Sequence, residues 1–188
     1  MNPANGGSGG KRLLRRGILL CALLTAAVSL PVSAKDTQSE DSVKAAFVLR
    51  FAGYVEWPED AVPERSFTIA VLGASEVAVR LQKLTAGRTI MNRPVQVRRI
   101  ASIQDVGNAQ IVYIGTDHRA DLRSLLTTLR SRRILVISSE DEGLAAGSAI
   151  NLLVADRRVR FEVSLAAARA AGLRIGSELL SLAVRVQK

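Results

Sequence analysis

Residues 67–87 read Phe-Thr-Ile-Ala-Val-Leu-Gly-Ala-Ser-Glu-Val-Ala-Val-Arg-Leu-Gln-Lys-Leu-Thr-Ala-Gly. The first six form a short apolar run ended by Gly73, which reads as a strand buried on both faces. Ser75 then opens a helix whose Val77, Leu81 and Leu84 recur at helical spacing, closed near Gly87. A buried strand followed by an amphipathic helix is the repeating unit of a parallel sheet with helices packed on it.

Downstream the unit recurs. Pro94 to Ile100 reads as a strand with Val95, Val97 and Ile100 as its apolar members. Gln96, Arg98 and Arg99 make it polar enough for an edge. Ile111 to Ile114 before Gly115 is a second buried strand. Asp121 to Arg130 is a helix with Leu122, Leu125, Leu126 and Leu129 on one face, and Ile134 to Ile137 is a third buried strand. The rhythm then changes. Ala149 to Val154 and Arg158 to Val163 read as a hairpin turning at Asp156-Arg157. In its second arm Val159, Phe161 and Val163 face inward, and Arg158, Arg160 and Glu162 outward. Ser164 to Ala171 is an Ala-rich helix ended by Gly172, and Ser177 to Val186 a final helix. Upstream, Ser42 to Tyr54 reads as a helix capped by Asp41 or Ser42 and stopped by Trp57-Pro58. The expected fold is α/β: a single-domain sandwich with a mixed, mostly parallel sheet flanked by helices.

The N-terminus has a different organisation. Residues 2–10 are rich in Gly, Asn and Ser; Lys11, Arg12, Arg15 and Arg16 form a basic cluster; Gly17 to Leu30 is apolar; Val32-Ser33-Ala34 offers a small-residue cleavage site. This is the layout of a secretory signal. The apolar run is short for a membrane span, which needs about 20 residues; an uncleaved anchor is the alternative. The expected division is a signal peptide over 1–34, a flexible lead-in over 35–41 and one α/β domain over 42–188.

The 188 residues carry 26 Lys+Arg against 17 Asp+Glu, a formal +9. Four of those basic residues lie in the signal, so cleavage after Ala34 lowers the charge to +5. Export also removes the chain from nucleic acid, and that class of partner is set aside. The single Cys, Cys21, leaves with the signal, so no disulfide is expected.

No motif for catalysis, metal or cofactor binding stands out. His118 is the only imidazole and has no Ser, Cys or carboxylate around it in a catalytic signature. Gly73-Ala74-Ser75 resembles half of a phosphate turn but lacks the rest of the fingerprint. Glu140-Asp141-Glu142 lacks the spacing of a calcium loop and reads as solvated. Arg157, Arg158 and Arg160 with Glu162 form a charged stripe, and Arg98-Arg99 a second basic patch; guanidinium groups pair with carboxylate or phosphate. Trp57, the only Trp, sits at the end of the first helix. These seven residues are the candidates for binding a partner or ligand.

Two segments carry a resemblance. Val43 to Pro58, VKAAFVLRFAGYVEWP, resembles the opening signature of the YfiR family of exported regulators, an amphipathic helix ending in Trp-Pro. Arg158 to Ile175, RVRFEVSLAAARAAGLRI, followed by Ser177 to Ala183, resembles its closing signature. Phe67 to Gly73, Gly87-Arg88, Arg93-Pro94-Val95 and Gln110 to Ile114 fall between them in the family's order. The resemblance implies a periplasmic α/β protein that binds the periplasmic sensor domain of an inner-membrane diguanylate cyclase and represses it, lowering cyclic di-GMP and biofilm formation. It names an outer-membrane lipoprotein as a second partner; a second copy of this chain is a further candidate. The alternative is a periplasmic small-ligand sensor serving a membrane kinase or receptor. Two departures from the family pattern stand out: Asn108-Ala109 replaces a family cysteine, and Ser164 replaces a family asparagine.

Overall fold

The computed structural model describes residues 34–62, 65–118, 120–130 and 132–188. The expected basic cluster, apolar run and Cys21 lie outside the described residues. In chain order the elements are α1 (Ala34–Phe51), β1 (Val55–Glu56), β2 (Phe67–Leu72), α2 (Ser75–Thr85), β3 (Thr89–Ile90), β4 (Arg93–Ile100), β5 (Ile111–Ile114), α3 (Leu122–Leu129), β6 (Leu135–Ser138), α4 (Gly143–Ala146), β7 (Ile150–Ala155), β8 (Arg158–Ser164), α5 (Leu165–Ala170), β9 (Arg174–Ile175), α6 (Ser177–Leu182) and β10 (Arg185–Gln187). Eight strands form one mixed sheet in the order β10-β8-β7-β6-β5-β2-β4-β3, and β1 pairs with β9 apart from it.

The sheet's direction follows from its connections. β2, β4, β5, β6 and β7 are mutually parallel, linked through helices or longer crossovers. The chain steps from β2 out to β4, then returns past β2 to lay down β5, β6 and β7. That reversal puts α2 and α3 on opposite faces, because a right-handed crossover fixes the face by the direction of the step. The tight turn at Asp156 and Arg157, both with positive φ (51° and 58°), then makes β8 antiparallel to β7.

Strand alternation sorts the core into two layers. On one face Ile69, Tyr113, Ile137, Leu152 and Phe161 pack with Val48 and Phe51 of α1 and Val77 and Leu81 of α2. On the other, Ala70, Val112, Ile114 and Val136 pack with Leu122, Leu125, Leu126 and Leu129 of α3. β2, β5 and β6 are buried throughout because both layers cover them. Phe161 joins the far end of the chain to the start: its ring lies 5.0 Å from that of Phe51 and 5.7 Å from that of Phe47.

Four expectations are corrected. The first helix begins at Ala34, so the stretch expected as a lead-in is helical and Asp41 and Ser42 are interior rather than capping. Nothing in residues 34–42 breaks a helix, and Glu40 pairs with Lys44 one turn on at 2.6 Å. The final helix stops at Leu182: Ala183 turns extended, Val184 N–H donates to the Phe161 carbonyl at 2.9 Å, and β10 runs parallel to β8. The unpaired edge of β8 and the β-branched Val184 and Val186 favour a strand over another helical turn. Glu162 does not face solvent; it is 7% exposed. β4 is an edge only in part, since β3 pairs with Arg93 and Pro94.

Candidate functional site

Four successive strands place a polar residue in register on the α3 face: Ser138 on β6, Asn151 on β7, Glu162 on β8 and Arg185 on β10. Each bonds to the next. Ser138 Oγ donates to Asn151 Oδ1 at 2.7 Å, and Asn151 Nδ2 donates to Glu162 Oε1 at 3.2 Å. Arg185 closes the row, donating from Nε at 2.8 Å and from its terminal nitrogen at 2.6 Å to Glu162 Oε2. Glu140 N–H adds a second donor to Asn151 Oδ1 at 3.3 Å. Polar groups buried in a sheet face require such saturation, because each unpaired one keeps its desolvation cost. The turn at Gly143 that opens α4 lies directly on the row. A Cβ there would sit 2.2 Å from Ser138 Oγ and 2.4 Å from Asn151 Oδ1. Ser138 gives its proton to an amide oxygen, so the row anchors strands, and its one exposed member is Arg185.

The chain reversal places a second polar group at the carboxyl ends of β2 and β5, where open α/β sheets commonly bind ligands. There Gly115 N–H donates to the Leu72 carbonyl and Asp117 N–H to the Gly73 carbonyl, both at 2.9 Å. A Cβ on Gly115 would meet the Gly73 oxygen at 2.4 Å, so two backbones close on each other at this point. His118 follows, largely buried, with Nε2 bonded to Glu140 Oε1. The expected acidic triplet is therefore split: Glu140 pairs with His118, while Asp141 and Glu142 are exposed.

The fold scatters the arginines singled out from the sequence. β4 and β8 are separated by four strands, so their clusters stand roughly 24 Å apart at about 4.8 Å per strand. Arg98 and Arg99 are neighbours on one strand and point to opposite faces. Arg98 aligns with Ala70 of one layer and Arg99 with Val71 of the other. Arg98 is also engaged, donating to the Val106 carbonyl at 3.0 Å. Arg157, Arg158 and Arg160 are exposed beside the β7–β8 turn. Trp57 belongs to the α1 layer, 7% exposed, with its ring edge-on to Phe67 at 5.3 Å. Of the seven candidates the fold brings together Arg158, Arg160 and Glu162 on one strand face, and Arg157 at its turn.

Sequence reasoning missed Ser138, Asn151 and Arg185. Ser138 lies at the end of an apolar run, Asn151 inside an expected strand and Arg185 inside an expected helix. The available signal was Asn151: an amide inside Ile150–Leu152 is out of keeping with a buried strand unless partners wait for it. Ser164, the departure from the family pattern, has a local task, since its Oγ accepts from Ala167 N–H at 3.2 Å and caps α5. Asparagine caps helices equally well.

The family described as YfiR/HmsC-like matches residues 41–184. No curated protein matches the chain in sequence. Among solved structures, a conserved domain protein from Vibrio cholerae O1 biovar El Tor has TM-score 0.52 at 11% identity, covering 78% of this chain and 60% of that one. An ABC domain from Streptococcus pneumoniae, solved in complex with L-Trp, has TM-score 0.51 at 11% identity with the same coverage. The chain thus spans about 60% of the length of either solved protein. At this identity the likeness concerns the α/β fold.

Proposed function

Because this chain belongs to the YfiR/HmsC-like family, whose members are periplasmic regulators of diguanylate cyclases, we propose that it is itself a periplasmic repressor. It binds the periplasmic sensor domain of an inner-membrane diguanylate cyclase, holds the enzyme inactive, and so lowers cyclic di-GMP and biofilm formation. An outer-membrane lipoprotein competes for the repressor and releases the cyclase. The N-terminal signal delivers it to that compartment. Such a switch needs only a difference in affinity between two partners, and no chemistry by the repressor.

The observation that carries this reading is the family match over 41–184, which spans nearly all the described elements. The family is regulatory rather than catalytic. The exposed guanidinium groups of Arg157, Arg158 and Arg160 at the β7–β8 turn suit an acidic partner surface, with Glu162 and Arg185 fixing the strand that presents them. Deleting the gene should raise cyclic di-GMP and biofilm mass, and restoring it should reverse both. Unchanged cyclic di-GMP in the deletion strain would overturn the proposal.

A further inference from the structure

The end of α1 and the β3–β4 hairpin enclose an open-sided groove of about 950 Å³ on the α1 face of the sheet, away from the arginine stripe. Its walls are apolar: Leu49 on one side, Leu84 and Ile90 on the other, with Trp57 in the floor. Three features of this groove have no role in holding the fold together.

The first is Met91. It sits in the tight turn between β3 and β4 with φ +51°, next to Asn92 at φ +59°. Asn, Asp or Gly normally fills such a turn, since the left-handed region crowds any other side chain. The methionine is nevertheless 52% exposed and lines the groove. A strained, exposed, flexible apolar side chain is poorly placed for stability and well placed for adapting to a partner. The second is charge. Arg50 and Arg88 are exposed at the groove, and among the described residues neither guanidinium has a hydrogen bond or ion pair. The one carboxylate at the groove, Glu56, is already held by Arg174 Nε at 2.9 Å. The third is the Trp57 Nε1–H, buried with no acceptor among the described residues.

We propose that this groove docks an acidic segment of the repressor's protein partner, one that presents a bulky apolar side chain flanked by carboxylates. The apolar side chain lies on Leu49, Ile90 and Met91, and the carboxylates pair with Arg50 and Arg88. The volume is at the upper end of small-molecule sites, about 300–1,000 Å³, and the open side accommodates a continuing chain. Charge complementarity selects an acidic partner over a basic one. The proposal rests on the regulatory reading above and adds a contact for the partner apart from the arginine stripe.

The chain's only Trp lines this groove, so its emission reports on that surface and on the core layer beneath it. The probes are the purified periplasmic domains of the membrane diguanylate cyclases encoded in the same genome, selected or engineered to lack Trp. Binding of one of them should shift Trp57 emission. Arg50→Glu with Arg88→Glu should weaken binding by about tenfold or more. Met91→Gly separates docking from folding: it relieves the turn, so the variant should melt no lower than the parent while binding more weakly. Arg157→Glu with Arg158→Glu tests the stripe. If a domain binds the parent and both groove variants equally, or binds without moving Trp57 emission, the groove proposal is overturned and the regulatory reading stands. If no domain binds the parent, both are overturned.

Discussion

Asn151 donates its side-chain amide to Glu162 at 3.2 Å across the β7–β8 pair, and neither residue is more than 7% exposed. The carboxylate is tolerated in the sheet because this amide serves one oxygen and Arg185 the other. Replacing Asn151 by Leu should leave Ser138 and one oxygen of Glu162 unpaired and cost about 3 kcal/mol. Urea denaturation followed by circular dichroism measures it. A loss below about 0.5 kcal/mol, the size of a neutral surface change, would mean that the row is not a structural bracket.

Gly143 should be intolerant of a single methyl group. The added Cβ would fall on the bonded Ser138 and Asn151 side chains, which are themselves buried, so Gly143→Ala should destabilise by about 2 kcal/mol. Combined with Ser138→Ala, the loss should be smaller than the sum of the two. Additive losses in that double-mutant cycle would show that the clash lies elsewhere.

Phe161 ties α1 to the sheet through Phe47 and Phe51. Phe161→Ala should cost about 4 kcal/mol, and Phe161→Leu much less. The amides of α1 should lose hydrogen-exchange protection before those of β2, β5 and β6, which are buried between two layers. Uniform loss across the molecule would refute the role of this ring in tying α1 to the sheet.

Tyr113 is fully buried among the α1-side residues, and burial pushes its phenol up from 10.0 to about 12, against a partial pull down from the Ser139 side chain. The folded state therefore holds this proton more tightly than the unfolded state. The associated stability is complete below pH 10 and is lost as pH rises from 10 to about 12. In a Tyr54→Phe background Tyr113 is the only tyrosine, and phenolate absorbance should appear near pH 12 or together with unfolding. Titration near pH 10 in a folded sample would contradict the burial.

Elements whose side chains repeat with a clear period were legible in the sequence. β2, β5 and β6 are short apolar runs between glycines or helices, and α2 and α3 carry apolar residues at helical spacing. Their bounds in the fold match the expectation to within a residue or two. The hairpin was legible from the polar pair Asp156-Arg157. What was not legible depends on partners distant in the chain. Val184 to Gln187 continues a helical pattern locally, and only the open edge of β8 makes it a strand. Glu162 alternates as an outward residue, and only α4 and Arg185 make it buried. β1 and β9 are two residues each and exist only because they meet. The candidate site suffered most: Arg98-Arg99 reads as one basic patch in sequence, while the sheet sends the two side chains to opposite faces.

The pairing of β1 with β9, Val55 opposite Ile175 and Glu56 opposite Arg174, carries a consequence for how the two ends of the domain depend on each other. The helix that comes first in the domain finds the ring of Phe161, and the strand behind it finds residues 174–175, more than a hundred positions later. The partners of α1 on β2, α2 and β5 come early in the chain, but Phe161 and the β1–β9 pair come only near its end. The α1 layer is therefore complete only when the last quarter of the chain is in place. Removing residues 158–175 would thus take away both the ring that α1 packs on and the partner strand of β1, so the two ends of the domain stand or fall together.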